Sequence, residues 1–321
     1  MSARLWDERV AEPELDLLGI GQGSIDHVCS VEGLPRFTGK EAMLAYDVLP
    51  GGQIATALLA GARLGLRGAF VGSIGTDPAG PAVLAPLVAA GIDASGVRRV
   101  AGASTRLAVI LVDRASGERT LLWYRDPRLR LRVEDVPAAR IARSRCLLLD
   151  GDDPEVGAYA ARLARAAGVP VVLDVDRRAP GIDALLAEAD FPIVSRHFAE
   201  SFSGDGSLRG GLERLAGLGA RLAVVTLGDH GCLALGQGRL VRSPAFQVTP
   251  RDTTGAGDVF HAAFVWGLLE GLDVEPLLLA ANAAAALSAR ALGAQGGLPT
   301  RNELEAFLRH ERPGPWREPD A

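Results

Sequence analysis

The segment Asp252–Phe260 carries the residues best suited to chemistry in this chain. It reads Asp-Thr-Thr-Gly-Ala-Gly-Asp-Val-Phe and leads into a long apolar stretch. Two glycines around an alanine let the backbone approach a ligand closely. The free N–H groups of a first helical turn, with the helix dipole behind them, favour an anion such as phosphate. The segment therefore predicts an anion-binding turn at the start of a helix.

Asp258 stands inside this turn, where its negative charge would repel a bound phosphate. A carboxylate is useful there if it accepts a proton from a hydroxyl group that attacks phosphorus. An ordinary helix start with an aspartate in its first turn is the alternative interpretation. Phosphoryl transfer to an alcohol is the chemistry that the residue types indicate.

The elements that must position this turn alternate along the chain from Leu15 onward. Short apolar runs are typical of buried parallel strands, and they occupy Leu15–Ile20, Ala69–Gly72, Cys146–Leu149, Val171–Leu173, Phe191–Val194 and Leu222–Thr226. Helical patterns lie between and after them, at Gln53–Leu64, Pro78–Ala90, Pro154–Ala167, Gly181–Ala189, Leu208–Leu218, Gly255–Glu270, Val274–Leu292 and Arg301–His310. This alternation predicts an α/β fold in which helices cover both faces of a mostly parallel sheet.

Two segments break the alternation, Ile25–Val48 and Ala103–Arg125. Both have strand-like spacing, and Ser116-Gly117-Glu118 supplies a hairpin turn in the second. We expect them to form a small accessory sheet that projects from the main one. A projecting sheet could act as a lid that excludes water from phosphoryl transfer.

Four motifs occur in an order that resembles the ribokinase-like (PfkB-type) carbohydrate kinases. They are Pro50-Gly51-Gly52 before an alanine-rich helix, Gly72–Asp77, Thr226–Gly231 and Asp252–Asp258. The resemblance covers residues 15–310, with residues 1–14 and 311–321 as terminal extensions. It implies a three-layer αβα sandwich with a small β-sheet lid over about 25–48 and 103–125. It also implies ATP-dependent phosphorylation of a hydroxyl group on a sugar or sugar acid of the ribose, ketohexose or keto-deoxy type.

The resemblance assigns catalytic and substrate residues position by position. Asp258 resembles the catalytic base, and the backbone of Gly255, Ala256 and Gly257 resembles the anion hole. The expected substrate-binding residues lie on the lid and at the start of the first long helix: Asp26, Gly51, Gly52 and Gln53.

The nucleotide and cation sites are assigned in the same way. ATP with Mg²⁺ is the expected cofactor, and the residues that resemble nucleotide contacts are Thr226, Gly228, Gly231 and Asn282. Asp252 and Thr254, with the Gly293–Gly297 loop, resemble the K⁺ site of some members.

The chain departs from the family pattern at two places. An asparagine usually follows the Gly-Gly pair where this chain has Thr56, so the identity of the sugar stays open. The Asn-x-x-Glu element appears as Ser195-Arg196-His197-Phe198, with Glu200 nearby. Magnesium must then be held mainly by nucleotide phosphates and water, with Asp174 or Asp176 as candidate ligands.

Lys40 is the single lysine among 34 lysine and arginine residues. In a chain so rich in arginine, a lone lysine suggests a site where a guanidinium fits badly. We therefore hypothesise that Lys40 meets a negative group of the substrate or product, with Arg125 as a second cation. Chance composition on a loop is the alternative.

Composition excludes several other classes. A net charge of −5 argues against a nucleic-acid surface. The sequence has no run of about 18 apolar residues and no signal-peptide pattern, so we expect neither a membrane partner nor export. Three dispersed cysteines favour a reducing cytoplasm. Gly19–Ser24 lacks the third glycine and the following helix of a dinucleotide site, and no Walker-type Gly-Lys-Ser/Thr exists.

Two competing functions remain. A nucleoside kinase would share the fold and the Gly-Ala-Gly-Asp turn, although the polar lid segments favour a sugar. A non-catalytic sugar-binding regulator would have no need of Asp258. Trp123 and Tyr124 end a lid strand, and we expect them to pack lid sheets together across a homodimer, with stacking on the sugar as the alternative.

Overall fold

The computed structural model describes residues 5–6, 10, 13–33, 35, 38–116 and 118–318. In these ranges the strands are β1 (Leu15–Ile20), β2 (Ser24–Val31), β3 (Ala45–Gly51), β4 (Gly68–Gly75), β5 (Asp93–Val100), β6 (Leu107–Asp113), β7 (Arg119–Tyr124), β8 (Ser144–Asp150), β9 (Val171–Val175), β10 (Phe191–Ser195), β11 (Ala223–Thr226), β12 (Cys232–Gly236) and β13 (Arg239–Ser243). The helices are α1 (Gln53–Arg63), α2 (Ala79–Ala89), α3 (Ala138–Ile141), α4 (Pro154–Ala167), α5 (Ile182–Leu186), α6 (Arg196–Ser203), α7 (Leu208–Gly217), α8 (Ala256–Leu269), α9 (Val274–Ser288) and α10 (Arg301–His310).

The main sheet has the strand order β13-β12-β11-β10-β9-β8-β1-β4-β5. Its pairs are parallel from β10–β11 through to β4–β5, and β11–β12 and β12–β13 are antiparallel. Apolar side chains on its two faces belong to two separate buried clusters, each covered by helices. The predicted α/β sandwich is confirmed.

Helix α8 lies in the larger of these clusters. All its residues from Val259 to Leu268 are buried, because the helix is covered on every side by the sheet, α1 and α9. A helix that is apolar all round needs such an enclosed position. The tight packing fixes the start of α8, which carries the predicted anion-binding turn.

The second sheet has the order β3-β2-β6-β7 and is the predicted accessory sheet, which we call the lid sheet or lid. Strand β2 pairs antiparallel with β3 and parallel with β6, and β6 pairs antiparallel with β7. Its inner face packs Val28, Ala108, Ile110 and Val112 into a small core of their own. Its outer face carries many of the molecule's exposed large apolar side chains.

Sequence periodicity located most elements but missed several. β1, α4 and α10 have their predicted bounds, whereas β5, α6, β12 and β13 were not predicted. β5 and β13 are the edge strands of the sheet and carry arginines, so they lack the continuous apolar run of a central strand. No described helix is both long and apolar enough to cross a membrane.

Candidate active site

A cleft of about 650 Å³ lies between the inner face of the lid and the carboxyl edge of the main sheet. Parallel strands bring their carboxyl ends to one edge, which is where α/β proteins bind ligands. The cleft is lined from three sides, by lid residues, strand ends and the turn before α8: Asp26, Ala108, Arg119, Leu121, Trp123, Asp174, Asp176, Ser195, Thr226, Thr253, Gly255, Ala256, Gly257 and Asp258.

The turn before α8 has the geometry of an anion hole. Gly255 adopts φ 77°, and a Cβ there would lie 2.7 Å from the Cα of Ala294. The amides of Gly257 and Asp258 donate to no protein acceptor in the described residues, since they stand in the first helical turn. A Cβ on Gly257 would meet nothing within 4 Å, so this backbone is open to a ligand.

Asp252 ties this turn to the loop that follows α9. Its Oδ1 accepts the amide of Thr254 at 2.8 Å, and its Oδ2 accepts the amide of Gly293 at 2.8 Å. Asp252 is fully buried, and Thr254 is buried as well. The fold therefore places Asp252 and Thr254 next to the loop that carries Gly293. In this group the Oγ1 atom of Thr254 has no hydrogen-bond partner among the described residues.

Asp258 projects from the anion hole into the cleft. Burial raises its pKa well above 3.8, and the charges of Asp174, Asp26 and Asp176 raise it further, while Arg119 opposes them. A carboxylate with a raised pKa is a stronger proton acceptor than an ordinary aspartate. The electrostatics fit the base that the sequence predicts.

Asp26 lies on the inner face of the lid with 4% of its surface exposed. Ser24 donates its hydroxyl to Asp26 Oδ1 at 2.8 Å, and burial raises the pKa of Asp26 to about 6. A Cβ on Gly51 would lie 2.0 Å from Asp26 Oδ2, so glycine at this position makes room for the carboxylate. Gly52 has φ 96° and begins α1, where Gln53 also lines the cleft.

A third carboxylate, Asp174, stands at the end of β9 near Asp258. Burial raises the pKa of Asp174 to about 6, and a hydrogen bond from Gln53 and the charge of His261 oppose the rise. His261 Nε2 lies 3.6 Å from Asp174 Oδ1, and its Nδ1 lies 2.7 Å from the carbonyl of Gly257. The histidine thus lies between a cleft carboxylate and the backbone of the anion hole, and only its Nδ1 makes a hydrogen bond within the described residues.

Two arginines that sequence reasoning missed form one wall of the cleft. The guanidinium groups of Arg106 and Arg177 lie 4.8 and 4.9 Å from the ring centre of Trp123. Both also pair with the carboxylate of Asp152. The shared aspartate and the ring hold the two cations in place and partly neutralise them.

The structure does not support a substrate contact by Arg125 or Lys40. The guanidinium of Arg125 is bound by Asp153 and by the carbonyl of Leu129, the latter at 3.1 Å, and it lies outside the main cleft. Lys40 is exposed before β3 and does not line the cleft either. Local sequence does not predict this pairing, because Asp152 and Asp153 lie 27 and 28 residues after Arg125 in the chain.

The predicted nucleotide residues share the other end of the cleft. Thr226, Gly228, Gly231 and Asn282 all line it, beside an apolar wall that includes Val248. The amide of Asn282 donates to the carbonyl and to the hydroxyl of Ser243, both at 3.0 Å. Asn282 therefore fixes the end of β13 in this wall.

The altered Asn-x-x-Glu element has become a helix cap. Ser195 lines the cleft, and its hydroxyl accepts the amide of Phe198 at 3.2 Å at the start of α6. Glu200 accepts from Arg196 at 2.7 Å. Glu200 is thus paired within its own helix and does not line the cleft.

Comparison with known proteins identifies the family of this chain. The model of the pfkB family carbohydrate kinases matches residues 15–301. The chain belongs to this family. A ribokinase from Haemophilus influenzae is 32% identical over 301 residues, which cover 91% of this chain and 97% of that protein.

Solved structures of ribokinases share the fold of this pfkB family kinase. A putative ribokinase from Agrobacterium tumefaciens has a TM-score of 0.85 at 29% identity, covering 92% of this chain and 97% of that one. Arabidopsis thaliana ribokinase complexed with ribose and ATP has a TM-score of 0.78 at 25% identity, covering 92% and 99%. Other relatives that match 90% of the chain are named fructokinase and nucleoside kinase, so the family includes several acceptors.

Proposed function

We propose that this carbohydrate kinase transfers the γ-phosphoryl group of ATP to a hydroxyl group of a sugar or sugar acid, with Asp258 as the general base. The observation that carries the proposal is the Asp258 carboxylate, which has a raised pKa and projects into the cleft from a turn with two free amides. These amides can hold the migrating phosphoryl group while the carboxylate takes the proton of the attacking hydroxyl.

Asp26 is proposed to hold the sugar. A charged acceptor in a buried site suits the several hydroxyl donors of a polyol. Gly51 supports this role, because any larger residue would displace the carboxylate of Asp26. We therefore propose ribose, a ketohexose or a keto-deoxy sugar acid as the molecule that accepts the phosphoryl group.

ATP is proposed to occupy the end of the cleft near Thr226 and Gly228, with its phosphates towards α8. Mg²⁺ prefers oxygen ligands, and Asp174 and Asp176 are carboxylates that line the cleft. No group of three or more candidate metal ligands exists among the described residues, so the nucleotide phosphates and water would complete the coordination. Magnesium would supply charge neutralisation on the phosphates.

A monovalent cation such as K⁺ is proposed to bind beside Asp252. The hydroxyl of Thr254, without a partner among the described residues, and the carbonyl of Ala294 in the Gly293–Gly297 loop offer oxygen ligands there. Turnover measured in K⁺ and in a large organic cation would test this site. Equal rates in both salts would exclude it.

We further propose that residues 15–310 form one kinase domain and that two copies of the chain pair through the outer faces of their lids. The outer face exposes Tyr46, Val48, Leu122 and Tyr124, each by at least half of its surface. Contiguous apolar surface of this kind is typical of an interface. Leu122→Glu should shift the sedimentation coefficient from dimer to monomer, and an unchanged coefficient would contradict the pairing.

An ADP-release assay over ribose, fructose, a keto-deoxy sugar acid and nucleosides tests the main proposal. Wild-type protein should turn over at least one sugar, and Asp258→Asn should lose about two to four decades of turnover. The nucleoside arm is included because Leu121 and Trp123 give the lid an apolar surface on which a base could stack. A variant that keeps more than about a tenth of the wild-type rate would refute the role of Asp258.

A further inference from the structure

Arg119 belongs to the lid but lies against the anion hole. It is the first residue of β7, and its Nη1 donates to the hydroxyl of Thr253 across 134 residues of sequence. It lines the cleft together with Gly257 and Asp258. Its positive charge lowers the pKa of Asp258, so the guanidinium and the carboxylate interact across the cleft.

Arg119 differs in pairing from the other arginines of the cleft. Arg106 and Arg177 pair with Asp152 and lie over Trp123. Within the described ranges, the Arg119 guanidinium forms no ion pair with a carboxylate, and its hydrogen bond goes to the hydroxyl of Thr253. No described carboxylate therefore neutralises the positive charge of Arg119, and most of its five N–H donors remain available to a ligand.

We propose that Arg119 is a catalytic residue that donates hydrogen bonds to the phosphoryl group during its transfer. The inference rests on the proposed function. In the step, the substrate hydroxyl oxygen forms a bond to the γ-phosphorus of ATP, and the bond from that phosphorus to the β–γ bridging oxygen breaks. The hydroxyl proton passes to Asp258, and ADP leaves.

Charge in such a transition state is spread over three equatorial oxygens. The amides of Gly257 and Asp258 approach these oxygens from the side of α8. Arg119 approaches from the lid and adds a positive charge, which the Asp252–Asp258 segment itself does not contain. Because the arginine is carried by the lid hairpin, its contact with Thr253 completes the site from the side of the lid.

The position of Arg119 favours the phosphoryl group over an acidic group of the sugar. Its contact, Thr253, lies two residues before Gly255 at the anion hole. A guanidinium at this position can bind the phosphoryl group during its transfer. A role in sugar binding predicts a different kinetic result and is one outcome of the test.

The kinetic test compares Arg119→Ala and Arg119→Lys with wild type on the sugar identified by the ADP-release screen. The matched control is Arg114→Ala, an exposed arginine of the same hairpin that does not line the cleft. Arg119→Ala should lower kcat by about 10²- to 10³-fold, the usual weight of one transition-state donor, with KM for the sugar nearly unchanged. Arg119→Lys should lose less, methylguanidinium should partly restore Arg119→Ala, and Arg114→Ala should match wild type.

A binding test gives a second readout that needs no turnover. Calorimetry with Mg-ADP, and with Mg-ADP plus aluminium fluoride as a mimic of the phosphoryl group in transfer, compares wild type with Arg119→Ala. The variant should keep its affinity for ADP and lose the gain in affinity that aluminium fluoride brings. The gain would be kept if Arg119 did not touch this group.

The outcomes separate the two proposals. A raised KM for the sugar at unchanged kcat would overturn the catalytic role and make Arg119 a substrate ligand. Unchanged kcat and KM would also overturn it. Absence of turnover by wild type on every acceptor would instead refute the proposed function, and the aluminium fluoride measurement would still decide whether Arg119 binds a phosphoryl mimic.

Discussion

Asp26→Asn should make the protein more stable at pH 8 while it abolishes sugar binding. The pKa of Asp26 rises from 3.8 to about 6 on folding, chiefly because the carboxylate is buried. One pKa unit corresponds to about 1.4 kcal/mol, so the ionised carboxylate costs the folded state about 3 kcal/mol. Asparagine has nearly the same shape and can still accept the hydroxyl of Ser24, so the variant should recover most of this free energy.

The size of this stability gain depends on pH. Between pH 3.8 and about 6 the folded state holds a proton on Asp26 that the unfolded state has lost. The free energy of unfolding of the wild type therefore falls as the pH rises through this window, and the full cost is present above it. Asp26→Asn has no carboxyl group to ionise at this position, so its free energy of unfolding does not fall for this reason. Its gain should be absent at the acid edge of the window and about 3 kcal/mol at pH 8, which is a rise of several degrees in Tm.

Urea unfolding of wild type and Asp26→Asn at several pH values between 4 and 8 measures this difference. Glu32→Gln, at an exposed position beyond the end of β2, controls for the loss of one negative charge at the surface. An Asn variant that gains nothing at pH 8, or gains the same amount at pH 4, would refute the raised pKa. Such a result would also contradict the view that the ionised Asp26 carboxylate lowers the stability of the folded state and is there to bind substrate.

Two further predictions concern the base and its turn. Asp174→Asn removes a charge that raises the pKa of Asp258. The acidic limb of the profile of kcat/KM against pH should therefore move to lower pH. If this limb does not move, the two carboxylates are not coupled. Gly255→Ala should cost about 1–3 kcal/mol in chemical denaturation and lose most turnover, because φ is 77° and the new Cβ would meet the neighbouring loop at 2.7 Å. Gly257→Ala, whose Cβ meets nothing within 4 Å, should leave stability nearly unchanged, and equal losses in both variants would contradict this account.

The sequence by itself determined the fold class and the centre of the site. The alternation of apolar runs and helical patterns is a local property, and it placed the central strands and most long helices correctly. The Asp252–Asp258 turn is local as well, since a positive φ at Gly255 and free amides at a helix start follow from a few adjacent residues. Prediction failed at edge strands such as β5, where half of the surface faces solvent and the apolar signal is diluted.

Only the tertiary structure decided which charges face the cleft. Arg119 begins β7 and Arg125 directly follows it. Nothing in the neighbouring sequence indicates which of the two arginines faces the cleft. The fold brings Asp153 to Arg125 across 28 residues and Thr253 to Arg119 across 134 residues. The pKa of Asp258 depends in the same way on Asp174 and on burial. Such long-range juxtapositions follow from sheet register and packing, which a reading of local sequence does not contain.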